Sequence, residues 1–224
     1  MATQYKPILF STEMVQAILE GRKTQTRRLH GLDEIKKNPN DWTFYYFSKD
    51  DKRTFAHFRK QEDNKIKSIF GTSPYQIGDI LWVRETWQTT WNENKKSWDT
   101  IYKADGGYWI DDDGIMKWKP SIYMPKKRAR IFLEVTNIRV QRLQEISEED
   151  AIAEGIKKTW INDDIKQCKF KNYINDGKGS KSAIDSFISL WKKINGEDSW
   201  NVNPWVWVYE FKQVHHPKDF LNEH

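Results

Sequence analysis

The sequence predicts an α+β fold, and three observations predict it. Ile131, Leu133 and Val135 alternate with Arg130, Phe132, Glu134 and Thr136, the period of two that marks a strand. Two further runs, 80–87 and 203–211, are dense in β-branched and aromatic residues, as buried strands are. Helical patterning is confined to short stretches at 11–20, 147–155 and 183–194, which do not alternate regularly with the strands.

Taken in order, the chain first offers a helix at 11–20. Ser11, with Thr12 behind it, is placed to cap it, Met14, Val15, Ile18 and Leu19 share one face, and Gly21 stops it. Arg22, Lys23, Thr24, Gln25, Thr26, Arg27 and Arg28 follow at once. Cations this close repel one another, so an anionic partner or nearby carboxylates must compensate them. Two hydroxyls within reach of Lys23 suit anion ligation or an activated nucleophile. A solvated basic turn is the competing reading of the same pattern.

Residues 32–75 read as an insertion, with an aromatic strand at 42–47 and a partner strand at 54–58. Its mixed charges at 49–67 suit a solvated face, and its aromatics suit either packing or contact with nucleic acid. Gly78 and Asp79 signal a turn into the strand at 80–87, where Arg84 and Glu85 interrupt the apolar run. Adjacent strand residues face opposite sides, so each of these two must be paired or lie at a cleft. A further strand is expected at 98–104, a turn at 111–114 and an extended, Pro-punctuated stretch at 118–128, which ends in the basic cluster Lys126, Lys127 and Arg128.

Ser147 through Asp150 has the form of a capping box, and the helix it opens runs to Gly155. Glu154 stands near that helix's C-terminus, where a carboxylate is poorly placed unless a cation meets it. Residues 157–181 are read as a loop anchored by Trp160, Ile165, Cys168, Phe170, Tyr173 and Ile174. In the helix at 183–194, Ile184, Phe187, Ile188, Trp191 and Ile194 form the apolar side. The strand at 203–211 is apolar on both faces and is expected at the centre of a covered sheet, with a frayed tail from His215.

Composition sets limits. The 224 residues can bury a proper core, and a net charge of +5 is compatible with a nucleic-acid partner. Twelve Trp exceed the usual need of such a core, and indoles either fill a core or stack on bases. A single cysteine, Cys168, excludes an internal disulfide framework and a Cys-rich zinc site and points to a reducing compartment. The five His residues show no metal-ligand spacing, and neither a metal nor a cofactor is expected. With no apolar run of about 18 residues and no signal-peptide pattern, the expectation is a soluble, cytoplasmic protein with no membrane partner.

The helix running into residues 21–28, the stretch at 78–87, the strand at 131–140, the segment at 146–151 and the closing run at 205–208 together resemble the ASCH domain, a relative of the PUA fold. Their order is similar to that of the longer ASCH proteins of bacteriophages and prophages. The resemblance implies one domain over 1–214, a small, mostly antiparallel PUA-like β-barrel flanked by helices, with insertions at about 32–75 and 157–181 and a tail at 215–224. It implies a basic cleft for RNA, DNA or a nucleotide in the cytoplasm of a bacterial or phage-infected cell. Arg22, Arg27, Arg28, Arg84, Glu85, Lys126, Lys127 and Arg128 are its candidate nucleic-acid contacts. A branch of the family removes the acyl group from N4-acetylcytidine, and by resemblance Lys23 becomes general base, Thr26 nucleophile and Glu154 proton donor. The competing expectation is therefore an amidohydrolase acting on a modified pyrimidine nucleoside.

Overall fold

The computed structural model describes residues 4–106, 110–111, 114–115, 117–160, 168–175 and 179–221. The turn expected at 111–114 and the middle of the loop expected at 157–181, Ile165 included, fall wholly or partly outside them. In chain order the first elements are β1 (Tyr5–Leu9), α1 (Thr12–Leu19), β2 (Gln25–Arg28), α2 (Asp33–Lys37), β3 (Thr43–Lys49), β4 (Thr54–Glu62) and β5 (Lys65–Ser73). Then come β6 (Ile80–Arg84), β7 (Trp87–Asn92), β8 (Ser97–Tyr102), β9 (Ile110–Asp111), β10 (Gly114–Ile115) and β11 (Phe132–Arg142). The last are α3 (Glu148–Ala153), β12 (Lys158–Trp160), β13 (Cys168–Phe170), α4 (Ala183–Asn195) and β14 (Trp205–Val214). The fold is α+β with mostly antiparallel sheets, and β1 with β6 is a parallel pair. No described helix is long and apolar enough to cross a membrane.

The chain divides into two compact units, one of residues 22–77 and 135–211, the other of 2–21, 78–134 and 212–224. In the first, β14 lies between β11 and β2 and pairs antiparallel with β2, Trp207 opposite Arg28 and Tyr209 opposite Thr26. Successive side chains leave a strand on opposite faces, so β14 sorts its own apolar run into two sets. Val206 and Val208 join Leu143, Ala151, Phe187 and Trp191 in the core under α3 and α4. Trp205, Trp207 and Tyr209 point the other way, onto Phe58, Phe47 and Tyr75 at ring distances of 5.3, 6.1 and 5.0 Å. The expectation of a central strand covered on both faces is met.

The second cover is larger than the hairpin expected from sequence. β3, β4 and β5 form a three-stranded antiparallel meander in which β4 is central. The third strand was hidden because Ile69 is the one large residue at its inward, packed positions, beside Gly71 and Ser73. A Cβ at Gly71 would stand 2.3 Å from the Leu32 side chain. The loop expected at 157–181 likewise contains a short antiparallel pair, β12 with β13.

In the other unit β6 runs parallel to β1 and antiparallel to the start of β11, Leu81 opposite Leu133. α1 is capped as expected, the Ser11 hydroxyl accepting from the Met14 N–H. The frayed tail expected from His215 is corrected as far as Leu221. Phe220 is fully buried, its ring against Tyr5 at 5.3 Å and Phe132 at 4.7 Å. A lone aromatic in a polar stretch has no periodicity to announce that packing.

Candidate functional site

The site begins with the way α3 ends. Gly155 adopts φ +93°, a conformation that side chains with a Cβ rarely take, so the helix stops at its cap residue Glu154. The Asp150 and Ile152 carbonyls still accept from the Glu154 and Gly155 N–H groups, at 2.9 and 2.8 Å, but beyond them the helix has no further donors of its own. Residues 22–25 supply them. Arg22 donates to the Gly155 carbonyl, Lys23 Nζ to the Glu154 carbonyl at 2.9 Å, the Thr24 N–H to Ala153 at 2.9 Å and Gln25 Nε2 to the Asp150 carbonyl at 2.7 Å.

The side chains continue the same junction. Lys23 Nζ donates to Glu154 Oε2 at 3.0 Å and to the Gln25 carbonyl at 2.8 Å, so its three protons have three acceptors. Arg27 spans two carboxylates, Nη1 to Glu154 Oε1 at 2.9 Å and Nη2 to Asp150 Oδ2 at 2.6 Å. Arg139 of β11 closes the set, bonding Asp150 Oδ1 at 2.9 Å and also Glu210. Lys23 is 3% exposed, Arg27 5% and Glu154 5%, so this is an interior network rather than a wet basic turn. The cation that Glu154 needed at the helix end is Lys23.

Burial pushes the Lys23 ammonium below its ordinary pKa; attraction to Glu154 opposes the shift without cancelling it, and Arg28 and Arg27 add to it. Desolvation therefore leads, and repulsion among the neighbouring cations is a minor contribution. Asp150 is pushed up by burial, but the guanidinium groups of Arg27 and Arg139 outweigh that and hold it below the usual carboxylate range.

Lys23 and Glu154, 131 residues apart in sequence, are thus brought into contact. Thr26 is buried too, but its register partner is Tyr209, and strand alternation turns it to the face opposite Gln25 and Arg27. Arg28 shares that face, opposite Trp207, and burial lowers its pKa.

The other candidates belong to the second unit, and most have partners of their own. Glu85, fully buried, accepts from Arg130 Nε and Nη2 at 2.9 Å each, while Arg130 also meets Asp105 and lies 3.9 Å over the Tyr102 ring. Burial pushes Glu85 upward against the pull of Arg130. Arg84 Nε donates to the Met124 carbonyl at 3.1 Å, and Arg128 to the Thr100 hydroxyl. Lys126 sits 4.7 Å over the Phe220 ring, and Lys127 is exposed.

Sequence reasoning missed Asp150, Arg139 and Arg130 as members of these networks. Asp150 was accounted for as an acidic first-turn residue of α3, and only its partners show the second use. Arg139 stands in β11 beyond the residues at 130–136 whose alternation marks the strand, and nothing in the pattern named its carboxylates. Among the described residues no group of three or more His, Cys, Asp and Glu could hold a metal ion. No family model, no curated protein and no solved structure matches the chain.

Proposed function

We propose that the chain is an ASCH-type protein of PUA-like fold that deacylates an N4-acylated cytosine nucleoside, with Lys23 and Glu154 as its proton-transfer pair. The observation that carries this reading is the buried contact of Lys23 Nζ with Glu154 Oε2 at 3.0 Å. A lysine whose pKa is lowered by burial, held against a carboxylate, can pass its proton across that contact and leave a neutral amine beside a carboxylic acid.

The reaction then balances as follows. Neutral Lys23 takes a proton from a water molecule, and the hydroxide oxygen adds to the acyl carbon. As the carbon–N4 bond breaks, the proton on Glu154 passes to N4, releasing the cytosine amine and the carboxylic acid and leaving the Lys23 ammonium against the Glu154 carboxylate. The resemblance gives the attacking oxygen to Thr26, but alternation along β2 turns Thr26 to the face opposite Gln25 and Arg27.

The reading of the motif as a phosphate grip draws less support. Lys23, Arg27 and Arg139 are matched in number by Glu154, Asp150 and Glu210, and Arg22 donates to the Gly155 carbonyl, so most of the motif's charge is compensated within the fold. Little net field is left there to attract a polyanion.

The test is chromatographic assay of cytidine release from N4-acetylcytidine, with Lys23→Met, Glu154→Gln and Thr26→Ala alongside and circular dichroism to show that each is folded. Loss of roughly a hundredfold to ten-thousandfold in the Lys23 and Glu154 variants is expected for proton-transfer groups. Full turnover by folded Glu154→Gln, or none by the parent, overturns the proposal. If Thr26→Ala alone stays active, water is the nucleophile.

A further inference from the structure

The outward face of the β3–β4–β5 meander carries a band of exposed rings that the Lys23–Glu154 network does not use. Alternation along β4 turns Ala56 and Phe58 inward, both fully buried, and Phe55, His57 and Arg59 outward. Register places Tyr46 opposite His57 and Phe70 opposite His57 from the other side, so the outward face continues across all three strands. A bulge between Phe44 and Tyr46 brings Tyr45 to Tyr46 at 5.3 Å, two consecutive tyrosines on one surface.

The rings touch in series. Tyr46 stacks on His57 at 4.3 Å with 5° between planes, His57 meets Phe70 at 5.9 Å, and Phe70 meets Phe55 at 5.4 Å. A guanidinium closes each end, Arg59 at 3.5 Å over Tyr45 and Arg53 at 5.2 Å over Phe55. Tyr45, Tyr46 and Phe70 are 56, 45 and 59% exposed, whereas Phe58 on the inner face of the same meander is fully buried. Leaving such rings in water forfeits burial energy, and contiguous exposed apolar surface marks an interaction site.

Charge selects the partner. Residues 43–73 hold seven Lys and Arg against four Asp and Glu, and all four acids stand at the two turns, 50–51 and 62–63. Asp50 pairs with Arg53 at one turn, but among the described residues no carboxylate lies within ion-pair distance of Arg59. At the edge of the meander, between Phe47 and Lys49 of β3 and Ile138 of β11, opens a cleft of about 330 Å³ also lined by Ser48, Thr54, Gln76 and Ile77, and Ser48 is bonded to His57 of the band at 2.7 Å. Exposed rings set at differing angles, one stacked pair at 5° and edge-on neighbours at 78 and 87°, with a guanidinium at each end, hydroxyls at the surface and a cleft at the edge, together match a single-stranded polynucleotide whose bases can splay to meet them. The tyrosine and Ser48 hydroxyls, which both donate and accept, suit a ribose 2′-OH.

We infer that this face is a docking surface for single-stranded RNA, read by base stacking rather than by phosphate capture. It stands apart from the proposed deacylase chemistry and does not depend on it.

The test is fluorescence anisotropy of a labelled 12-nucleotide single-stranded RNA with the full chain, against the same sequence as duplex RNA and as single-stranded DNA. Removing one stacking ring by Phe70→Ala or Tyr46→Ala is expected to weaken binding about tenfold, and Phe70→Trp to restore it. With about two cations engaged, the plot of log affinity against log salt should have a shallow slope of about −1.4. Lys23→Met should bind as the parent does, which separates this result from the deacylase assay. Binding indifferent to both ring variants, equal binding of duplex RNA, or equal binding of the DNA strand overturns the inference. So does self-association of the parent in sedimentation that Phe70→Ala abolishes, since that would assign the face to a second copy of this chain.

Discussion

Two basic regions of the same unit dispose of their charge in opposite ways. At the junction of β2 with α3, Lys23 and Arg27 are taken out of water, and every cation meets a carbonyl or a carboxylate. On the outer face of β3–β4–β5, Arg59 lies over the Tyr45 ring with no carboxylate within ion-pair distance among the described residues, and Arg53 is shared between the Phe55 ring and Asp50 near the surface. The aromatic residues invert the expectation in parallel. The Trp-rich strand β14 is buried, Trp207 at 0% exposure, whereas the Tyr- and Phe-rich strands leave four rings exposed, Tyr45, Tyr46, Phe47 and Phe70. Density of charge along a sequence is therefore a poor guide to phosphate binding. What decides is whether the charge is neutralised inside the fold.

That contrast can be broken at its strongest point by Glu154→Ala. The substitution strips Lys23 of its carboxylate and Arg27 of one of two, and an uncompensated buried charge costs about 3–5 kcal/mol. Urea titration would read it as a lower midpoint. A cost near zero would mean that water reaches the pair and that the network is not interior. A second comparison uses two Phe residues of one sheet. Phe58 is fully buried on the inner face, and Phe58→Ala should cost about 3–5 kcal/mol, the usual cost of a phenyl-sized cavity. Phe70 points outward, and Phe70→Ala should stay within about 0.5 kcal/mol, the range of surface substitutions. Equal losses at both positions would show that the ring band is structural, and the RNA surface would lose its basis.

Much of the fold was legible in the sequence. The strands that became β6, β11 and β14 announced themselves because they are long, apolar and bounded by turn residues, and α4 because Phe187 and Trp191 repeat at helical spacing. β5 was not legible, since of its inward residues Ile69, Gly71 and Ser73 two are small, while Ile66 and Phe70 face water, which blurs the usual alternation. Phe220 was missed for a different reason: a single long-range contact has no pattern. Of the site, the sequence showed a basic cluster in need of compensation, and the carboxylates that compensate it lie more than a hundred residues on. Only the register of folding joins the two. The outer ring band was visible as composition, and its direction became decidable once the bulge at Tyr45 and the pairing of β4 were known.

The smallest effect, and the one that probes the interior network most selectively, is pH dependence. The folded pKa of Asp150 lies below its ordinary value, so between the two the unfolded chain holds more protons and stability rises with pH. That contribution is complete above about pH 4, where an unfolded aspartate is ionised, and is lost as pH falls through the folded pKa. Lys23 is also depressed, and here too the unfolded chain binds more protons in the window between its folded pKa and about 10.4. The penalty for burying its ammonium is present at neutral pH and lifts as the solution becomes alkaline. Asp150→Asn should therefore flatten the acid limb of a stability profile and Lys23→Met the alkaline limb, each read as the difference from the parent. Phe70→Ala should leave both limbs in place, since a phenyl ring carries no proton. If Lys23→Met leaves the alkaline limb unchanged, the ammonium is paired too well to feel its burial. Lys23 would then hold its proton through the neutral range, and the deacylase would have no base.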